Sequence, residues 1–473
     1  FLPQPAGMVF LYMIGFFILM LCLDINPWIG IVASLAFAFS SYFFIIIEAG
    51  HNTKAVAIAY APPLIGGVLL LMRRKWIIGL ICTSLFMALE IYANHPQITY
   101  YMFLLLGLIL LTESIGFFRE KRFMDLFKSI GMIAVALIIG VLPNVSSLWT
   151  TAEYGQYTTR GPSELSLNAD GSQNKDRTGL PLDYATDWSY GTGESFTLLI
   201  PNFKGGASGY LADYINEKTT AKLDPNYTET VLQNNVYFGD QPFTSGPVYA
   251  GAIVIFLALL AMLVVKNNLK WALLGGIVFS IVLAWGKNYP GPTDWFFNHF
   301  PLYNKFRAVS MILVVAELCL PLLAALALQE LWQKNISDNK SGDFQKSFLK
   351  SIYISSGILL FFLLICLAVP DSVNTFYSEK ESPAAYEKMA QEQLLENARK
   401  EKPGISDVQL LSEIKPMLSQ YSEGYRSFLP QLKIAREDIF KSDVQRSLLF
   451  IFLAALVLFL FAKKILPAPA MLG

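Results

Sequence analysis

Charged residues are scarce in this chain, since Asp, Glu, Lys and Arg make up only 15% of its 473 residues. Soluble domains carry roughly 25% charged residues, and the mean hydropathy here reaches +0.45. This shortage excludes an ordinary soluble cytosolic enzyme. The 36 basic side chains equal the 36 acidic ones in number, so no basic excess indicates a nucleic-acid partner.

Cysteine and histidine are also rare, with four and three copies. The cysteines lie inside apolar runs, without CxxC spacing or a neighbouring His, so we expect core residues and not metal ligands. The loops carry no GxSxG, HExxH, P-loop or dinucleotide-binding motif. These absences exclude the familiar soluble-enzyme chemistries. The cysteines are Cys22, Cys82, Cys319 and Cys366.

Long apolar runs, in contrast, are abundant. A membrane-spanning helix needs about 20 mostly apolar residues, and eleven such runs are predicted, some of them short. No basic residues precede the first run, and the chain begins with Phe1, so the sequence is expected to be an excerpt without a signal peptide. The runs are 8–23, 28–48, 55–72, 76–93, 98–117, 129–147, 247–265, 271–286, 308–331, 349–369 and 445–462.

Lysine and arginine concentrate in every second connection between these runs. Short basic connections stay on the cytoplasmic side of a membrane, so the other connections, and Phe1, are predicted to lie outside. A cytoplasmic native N-terminus would then require an odd number of spans upstream. The basic residues are Arg73, Arg74, Lys75, Arg119, Lys121, Arg122, Lys128, Lys266, Lys270, Lys334, Lys340, Lys346, Lys463 and Lys464.

The predicted fold class is a mainly α, polytopic membrane protein of about eleven transmembrane helices. The large exterior loop should have mixed structure, with a turn signal at 168–171, and helical spacing predicts an exterior hairpin of helices at 382–401 and 406–443. The predicted parts are a first membrane group (1–147) with exterior turns 49–54 and 94–97, an exterior periplasmic loop (148–246), a second membrane group (247–369) with exterior loop 287–307, the hairpin (370–444), and a final membrane helix with a cytoplasmic end (445–473).

The first candidate site is the exterior turn 48–54, where an acid, an imidazole, an amide and a cation occur within two helical turns. Lys54 suits a phosphate, and Asn52 or His51 suits a hydroxyl. Glu48 follows an unbroken apolar run, and ionisable groups at such depth are usually functional. The alternative is a hydrated helix connection in which Glu48 and Lys54 only snorkel to the surface.

The second candidate is the next exterior turn, which repeats this content with Glu90, Asn94, His95, Gln97 and Tyr100. Two turns that each offer an acid before an Asn and a His could converge on one site, and a divalent metal is the weaker possibility there because the spacing matches no metal motif. Interfacial hydrogen bonding is the alternative.

The third candidate is the exterior loop 287–307, where aromatics and prolines alternate with cations. A lipid-linked ligand needs an apolar groove for its chain and a cation for its phosphate. Arg307 is the strongest candidate, since a guanidinium binds phosphate bidentately, and Lys305 and His299 lie in the same loop. An aromatic belt with ordinary anchoring cations explains the pattern equally well.

Glu317 lies inside run 308–331, where an unpaired charge is costly. It indicates either a proton-relay residue of a transporter or a protonated or paired carboxyl. Pro62 and Pro63 would bend run 55–72, as in the broken helices of transporters. No inverted repeat accompanies them, so transport is the second functional hypothesis.

The runs 40–54, 93–101 and 301–307 together resemble bacterial membrane proteins of the YfhO family, in particular its long Bacteroidetes-type members. That family belongs to the GT-C glycosyltransferase superfamily. The resemblance implies a GT-C-like fold in the bacterial cytoplasmic membrane. It also implies an enzyme that moves a sugar from a polyprenyl-phosphate donor to an envelope glycan, lipid or protein acceptor on the exterior face.

The resemblance further implies roles for individual residues. Arg307, Lys54 and Lys305 would bind the donor phosphate, and the polar side chains of the exterior turns and loop would position the substrates. The catalytic acid of such enzymes, usually an Asp in the first exterior loop, would lie upstream of Phe1, which leaves Glu48 and Glu90 as weak candidates. A transporter or flippase, or a non-catalytic envelope scaffold, is the alternative. The substrate-positioning candidates are His51, Asn52, Asn94, His95, Gln97, Tyr100 and His299.

Overall fold

The chain is described by a computed structural model that covers residues 3–161, 167, 171–172, 179–337, 342–403 and 405–466. The structure is mainly helical, as predicted, and its described residues include an isolated β-bridge between Tyr210 and Asn235. The predicted turn residues 168–170 and Lys340 lie outside the described residues.

Helices cover the first six predicted apolar runs. In lipid, the backbone N–H and C=O groups find no water and must form hydrogen bonds within the segment, which an α-helix provides. The second run is not one helix: it is a pair, α2 and α3, bent by 48° at 39–40. The next helix, α4, continues through Pro62 and Pro63. The helices are α1 (Ala6–Cys22), α2 (Pro27–Ala38), α3 (Ser41–Glu48), α4 (Asn52–Met72), α5 (Trp76–Tyr92), α6 (Pro96–Arg119) and α7 (Phe123–Val141).

The second half adds five long helices and several short ones. Between them lies the large loop, which in its described parts contains short helices and turns. The helices are α8 (Val145–Gly155), α9 (Leu182–Thr186), α10 (Glu217–Thr220), α11 (Thr228–Leu232), α12 (Ala252–Val264), α13 (Leu269–Ala284), α14 (Pro290–His299), α15 (Leu313–Ser337), α16 (Gly342–Ala368), α17 (Pro383–Glu401) and α18 (Asp407–Ala462).

Six helices in the described part of the chain are long and apolar enough to cross a membrane, or seven if the bent pair α2–α3 is one span. The other four predicted runs are the shorter apolar helices α1, α5, α12 and α13. Burial divides the six into two groups. The apolar windows of α4 and α15 are 89% buried, whereas those of α6, α7, α16 and α18 are only 28–33% buried, so α4 and α15 form the centre of the bundle.

Small residues allow the central helices to approach closely. A Cβ on Gly15 of α1 would lie 2.1 Å from the carbonyl oxygen of Ala59 in α4, and one on Gly67 would lie 2.6 Å from the Thr83 amide in α5. Helix association in lipid depends on such packing, since lipid tails are as apolar as leucine. Substitution at either glycine would separate the helices. Three cysteines, Cys22, Cys319 and Cys366, are buried in the core, as expected.

The predicted cytoplasmic connections meet at one end of the bundle. Asp24, between α1 and α2, lies 2.9 Å from Lys75, and Asp125 lies 3.3 Å from Arg74. At the same end, the Asn26 amide donates to Gln329 at 2.9 Å. These connections therefore share one surface, which we call the basic-connection end. The other end, predicted to be exterior, we call the loop end.

The predicted hairpin forms, but its second helix does not stop at 443. Ser382 caps α17 by accepting from the Ala385 amide at 3.2 Å, with Pro383 in the first turn. The second helix, α18, then runs for 56 residues through Pro416 and Pro430 into the final apolar run. Hairpin and final span are therefore one continuous helical element, which continues past both prolines.

The first boundary of the large loop also differs from the sequence prediction. Helices α7 and α8 form an almost uninterrupted helical stretch from Phe123 to Gly155, so helical structure continues past the predicted loop start at 148, although α8 has no buried residue. The loop then packs on the hairpin through Leu211, Val231, Leu432 and Ala435 in a separate apolar cluster. This assembly stands above the loop end.

Candidate functional site

Three separate segments bring basic side chains together at the loop end. The first is the turn between α3 and α4, which carries His51 and leads to Lys54. The second is His95, the N-cap residue of α6. The third is the irregular segment before the helical turn Val309–Ile312, which carries Arg307. We call His51, Lys54, His95 and Arg307 the basic cluster.

Lys54 is the most deeply placed member, with only 8% of its surface exposed. It forms no hydrogen bond or ion pair with any described residue, and the backbone amides of Thr53 and Lys54 have no described backbone acceptor either. Free amides at a helix start, together with the positive end of the helix dipole, favour an anion. A buried ammonium without a counter-ion adds to that preference.

Arg307 is exposed but held in place. Its guanidinium donates to the Tyr184 hydroxyl of α9 and lies 5.6 Å above that ring. Its carbonyl accepts from Gln97 Nε2 at 2.7 Å, and the next residue, Ala308, takes a left-handed backbone with φ 55°. The Ala308 amide donates to the Ala185 carbonyl at 2.9 Å, so both α6 and the large loop fix the arginine.

The two histidines are neutral at pH 7. Burial, and next the positive charge of Lys54, lowers the pKa of His95 to about 4. Partial burial, followed by the charges of Lys54 and Arg307, lowers the pKa of His51 as well. Burial is the larger cause of both shifts, and the secondary contributions from neighbouring charges show that the cluster members lie within electrostatic range of one another. A bound anion would relieve the repulsion between these charges.

The cluster suits an anion and not a metal ion. No carboxylate among the described residues forms an ion pair with any of its four members, and no three or more described His, Cys, Asp or Glu side chains could hold a metal ion together. Lys54 and Arg307 would repel a divalent cation from the two imidazoles. The same charges, with hydrogen-bond donors on each residue, fit a phosphate group.

The other predicted positioning residues have different surroundings. Gln97 supports the cluster through the Arg307 carbonyl, and Tyr100 donates to the Pro301 carbonyl at 2.8 Å. His299 stacks on Trp295 and is not in the cluster. Asn52 and Asn94 are exposed.

Lys305 was predicted to bind phosphate, but its ammonium donates to the Arg160 carbonyl at 2.7 Å. Arg160 in turn donates to the Lys305 carbonyl at 2.9 Å, so the two residues tie the large loop to the segment before Arg307. The structure therefore does not bring Lys305 into the basic cluster.

The two candidate acids also separate from each other. Glu48 ends α3 and is exposed, with its charge acting on Tyr214 of the large loop. Glu90 is fully buried in α5, and neither carboxylate oxygen has a hydrogen-bond partner among the described residues. The structure does not place either acid against the basic cluster.

Comparisons with known proteins add no relative. No protein-family model, no curated protein and no solved structure matches this chain. The assignment of a function therefore depends on the geometry of the loop end and on the sequence resemblance described above.

Tyr184 is the residue of the site that sequence analysis missed. It lies 123 positions from Arg307 in the chain, within a loop whose short helices carry no periodic pattern. An isolated tyrosine in such a loop gives no signal of its own. Only the folded loop shows that α9 reaches the basic cluster.

We expect the stability of the protein to fall on acidification because of His95. Its folded-state pKa of about 4 lies below the ordinary 6.5, so the unfolded chain binds the proton first. The folded state is therefore progressively disfavoured as the pH falls from 6.5 to about 4, by on the order of 2 kcal/mol. The thermal unfolding midpoint of His95→Gln, compared with the wild type across this range, measures the effect.

The matched control for this experiment is His299→Gln, because His299 is exposed and stacked on Trp295. His95→Gln should lose part of the acid sensitivity, whereas His299→Gln should follow the wild type. An acid response of His95→Gln equal to that of the wild type would show that His95 is not held neutral.

Proposed function

We propose that this chain is a membrane glycosyltransferase that binds a polyprenyl-phosphate sugar at the loop end and transfers the sugar to a cell-envelope acceptor. One observation carries the proposal: four basic side chains from three segments converge without a described carboxylate partner. Such a site favours the binding of an anionic ligand. The apolar bundle beneath it suits the lipid chain of the donor.

The proposed reaction is displacement at the anomeric carbon. An acceptor hydroxyl forms the new carbon–oxygen bond as the bond to the polyprenyl phosphate breaks, and the phosphate leaves with the electron pair. Lys54 and Arg307 would neutralise the charge that develops on the leaving group, which lowers the barrier most when the cations are fixed in advance. A carboxylate general base would take the proton of the attacking hydroxyl.

Several structural features suit this role. Tyr184 and Gln97 hold Arg307 in place before a ligand arrives, so little entropy is lost on binding. Lys54 is desolvated, which strengthens its attraction for a phosphate. The neutral imidazoles of His51 and His95 can donate to or accept from sugar hydroxyls. The large loop and hairpin cover this end of the bundle and offer a surface for an envelope acceptor.

The proposal is tested with the full-length protein in lipid nanodiscs. A polyprenyl phosphate should raise the thermal unfolding midpoint, whereas the polyprenol of equal chain length should not, because only the phosphate engages the cluster. With a polyprenyl-phosphate sugar and envelope extract, release of polyprenyl phosphate should be detected by mass spectrometry. Equal responses to the phosphate and the alcohol would overturn the proposed site.

A transporter or flippase of lipid-linked precursors is the second candidate, favoured by the bent pair α2–α3. Ser40 at this break donates to the buried Glu317 at 2.6 Å, and broken helices beside buried carboxyls occur at transport sites. In proteoliposomes, inward or outward movement of a labelled polyprenyl-phosphate sugar without its hydrolysis or transfer would favour this candidate over the enzyme.

A further inference from the structure

The break between α2 and α3 is fastened at several points. Ser40 Oγ donates to Glu317 Oε2 of α15 at 2.6 Å. Next to it, the Ser41 hydroxyl donates to the Pro247 carbonyl and accepts from the Tyr249 amide at 2.9 Å. The broken span is therefore held both by the central helix α15 and by the segment that precedes α12.

Glu317 is fully buried, and Ser40 is 3% exposed. While Oε2 accepts from Ser40, Oε1 has no hydrogen-bond partner among the described residues. No described Lys, Arg or His forms an ion pair with this carboxyl. Glu317 is thus a buried carboxyl group in which one oxygen is hydrogen-bonded and the other has no described hydrogen-bond partner.

The titratable groups that face Glu317 from the elements packed around it are tyrosines. Tyr42 of α3 and Tyr190 of the large loop lie within electrostatic range of the carboxyl. Behind Tyr42 lie Tyr12 of α1 and Tyr101 of α6. None of these four side chains carries a positive charge that could compensate an ionised carboxylate.

We propose that Glu317 is an intramembrane proton-binding site whose neutral acid, through its hydrogen bond with Ser40, holds the bent pair α2–α3 against α15. Because Ser40 donates to Oε2, the proton resides on Oε1. An unpartnered hydroxyl costs far less free energy than an unpartnered buried charge. A metal cation in place of the proton would need several oxygen ligands, and no second described carboxylate is present here.

The position of Glu317 links its proton to the basic cluster. Helix α3 starts directly after Ser40 and ends at Glu48, and the following turn carries His51. Ionisation of Glu317 would draw water or a cation to the break and change the contact with Ser40. The eight-residue α3 would pass that displacement to the turn. This coupling rests on the proposed function, whereas the proton site does not.

Infrared spectroscopy of the protein in nanodiscs tests the proton site. The difference spectrum between wild type and Glu317→Gln at neutral pH should show loss of a neutral carboxylic-acid carbonyl band, and Ser40→Ala should shift that same band. As a control, Glu120→Gln, at an exposed acid paired with Arg122, should lose carboxylate bands only. Loss of carboxylate bands in Glu317→Gln would overturn the proposal. If Glu317→Gln fails to fold, Ser40→Ala decides: an acid band at the wild-type position would overturn the proposal.

Binding of a polyprenyl phosphate as a function of pH tests the coupling. Above the pH at which the acid band disappears, wild-type affinity should fall about tenfold further than that of Glu317→Gln, which cannot ionise. Parallel pH profiles would overturn the coupling. Absence of polyprenyl-phosphate binding in both proteins would instead refute the proposed function, while the infrared result would still decide the proton site.

Discussion

Replacing Arg307 or Lys54 with alanine should weaken polyprenyl-phosphate binding about 10- to 100-fold each. A charge-assisted hydrogen bond contributes about 1.5–3 kcal/mol, and both cations lack a described carboxylate partner that would compete with the ligand. Lys54→Ala should have the larger effect on affinity, because its ammonium is desolvated and 8% exposed. Titration of nanodisc-embedded variants, followed by the thermal unfolding midpoint or by native mass spectrometry, measures both.

The matched control is Lys305→Ala. Lys305 lies two residues from Arg307, but its ammonium donates to the Arg160 carbonyl of the large loop. Its removal should change affinity by less than about threefold, as expected for a screened charge outside the site. If Lys305→Ala matched Arg307→Ala, general surface charge would explain binding and the cluster would have no special role.

The kinetic consequence separates binding from catalysis. If Arg307 stabilises the leaving phosphate, Arg307→Ala should lower kcat as well as raise KM, because the stabilisation grows as charge develops. Arg307→Lys should recover part of the affinity but less of the rate, since an ammonium cannot bind bidentately or stack on Tyr184. A change in KM alone would restrict Arg307 to donor binding.

Arg436→Ala should destabilise the assembly of large loop and hairpin by about 3–5 kcal/mol. Arg436 is fully buried in α18, and its guanidinium donates to both Glu381 carboxylate oxygens at 2.8 and 3.0 Å. It also donates to the carbonyls of Phe376 and Asn235 at 3.0 and 2.6 Å. Its loss would remove the donor from four acceptor oxygens, and faster hydrogen exchange of the 211–236 and 428–435 peptides would report the destabilisation.

Arg399→Ala is the control within the same hairpin. Arg399 and Asp407 form a 2.6 Å ion pair, but each side chain is more than half exposed, so its removal should change the stability far less than removal of Arg436, because water screens an exposed pair. The double variant Glu381→Leu/Arg436→Met should regain much of the stability, because it removes the unpaired charge. Equal effects of Arg436→Ala and Arg399→Ala would contradict the buried role of Arg436.

Acidification should weaken the same assembly. Burial alone would raise the pKa of Glu381, but the hydrogen bonds and charge of Arg436 outweigh it and hold the pKa below its ordinary value. A carboxyl with a lowered folded-state pKa contributes stability above its unfolded value, and that contribution is lost as the pH falls toward the folded-state value. The loop peptides of the wild type should therefore exchange faster below about pH 4.5. The double variant Glu381→Leu/Arg436→Met should not show this acceleration.

The sequence alone predicted the class of the fold, because apolar runs and basic connections are local properties. A run without charges must form a helix in lipid, and helices lie over all eleven predicted runs. It did not predict the 48° bend within run 28–48 or the merger of hairpin and final helix into α18. The bend lies where Ser40 contacts Glu317, 277 residues away in the chain.

For the candidate site, the sequence identified residue types but not their grouping. His51, Lys54, His95 and Arg307 were each visible as polar residues beside apolar runs. Folding brings them together because α3 and α6 pack against α4 and the segment before α15 contacts Gln97 of α6. The same tertiary contacts separated Lys305 and His299 from the cluster and added Tyr184. Contacts between residues 100 or more positions apart depend on tertiary packing, and local sequence spacing does not predict them.

The scarcity of charge was therefore a decisive property of the sequence, since it determined a helical, membrane-type chain. The tertiary structure decided which of the few charges meet. Arg436 forms an ion pair with Glu381 and stabilises the assembly of loop and hairpin. Among the described residues, Glu317 accepts a hydrogen bond from Ser40 alone, and the four residues of the basic cluster form no ion pair with a described acid. The physical reason is that the free energy of a charge depends on its neighbours and burial, and both exist only in the folded chain.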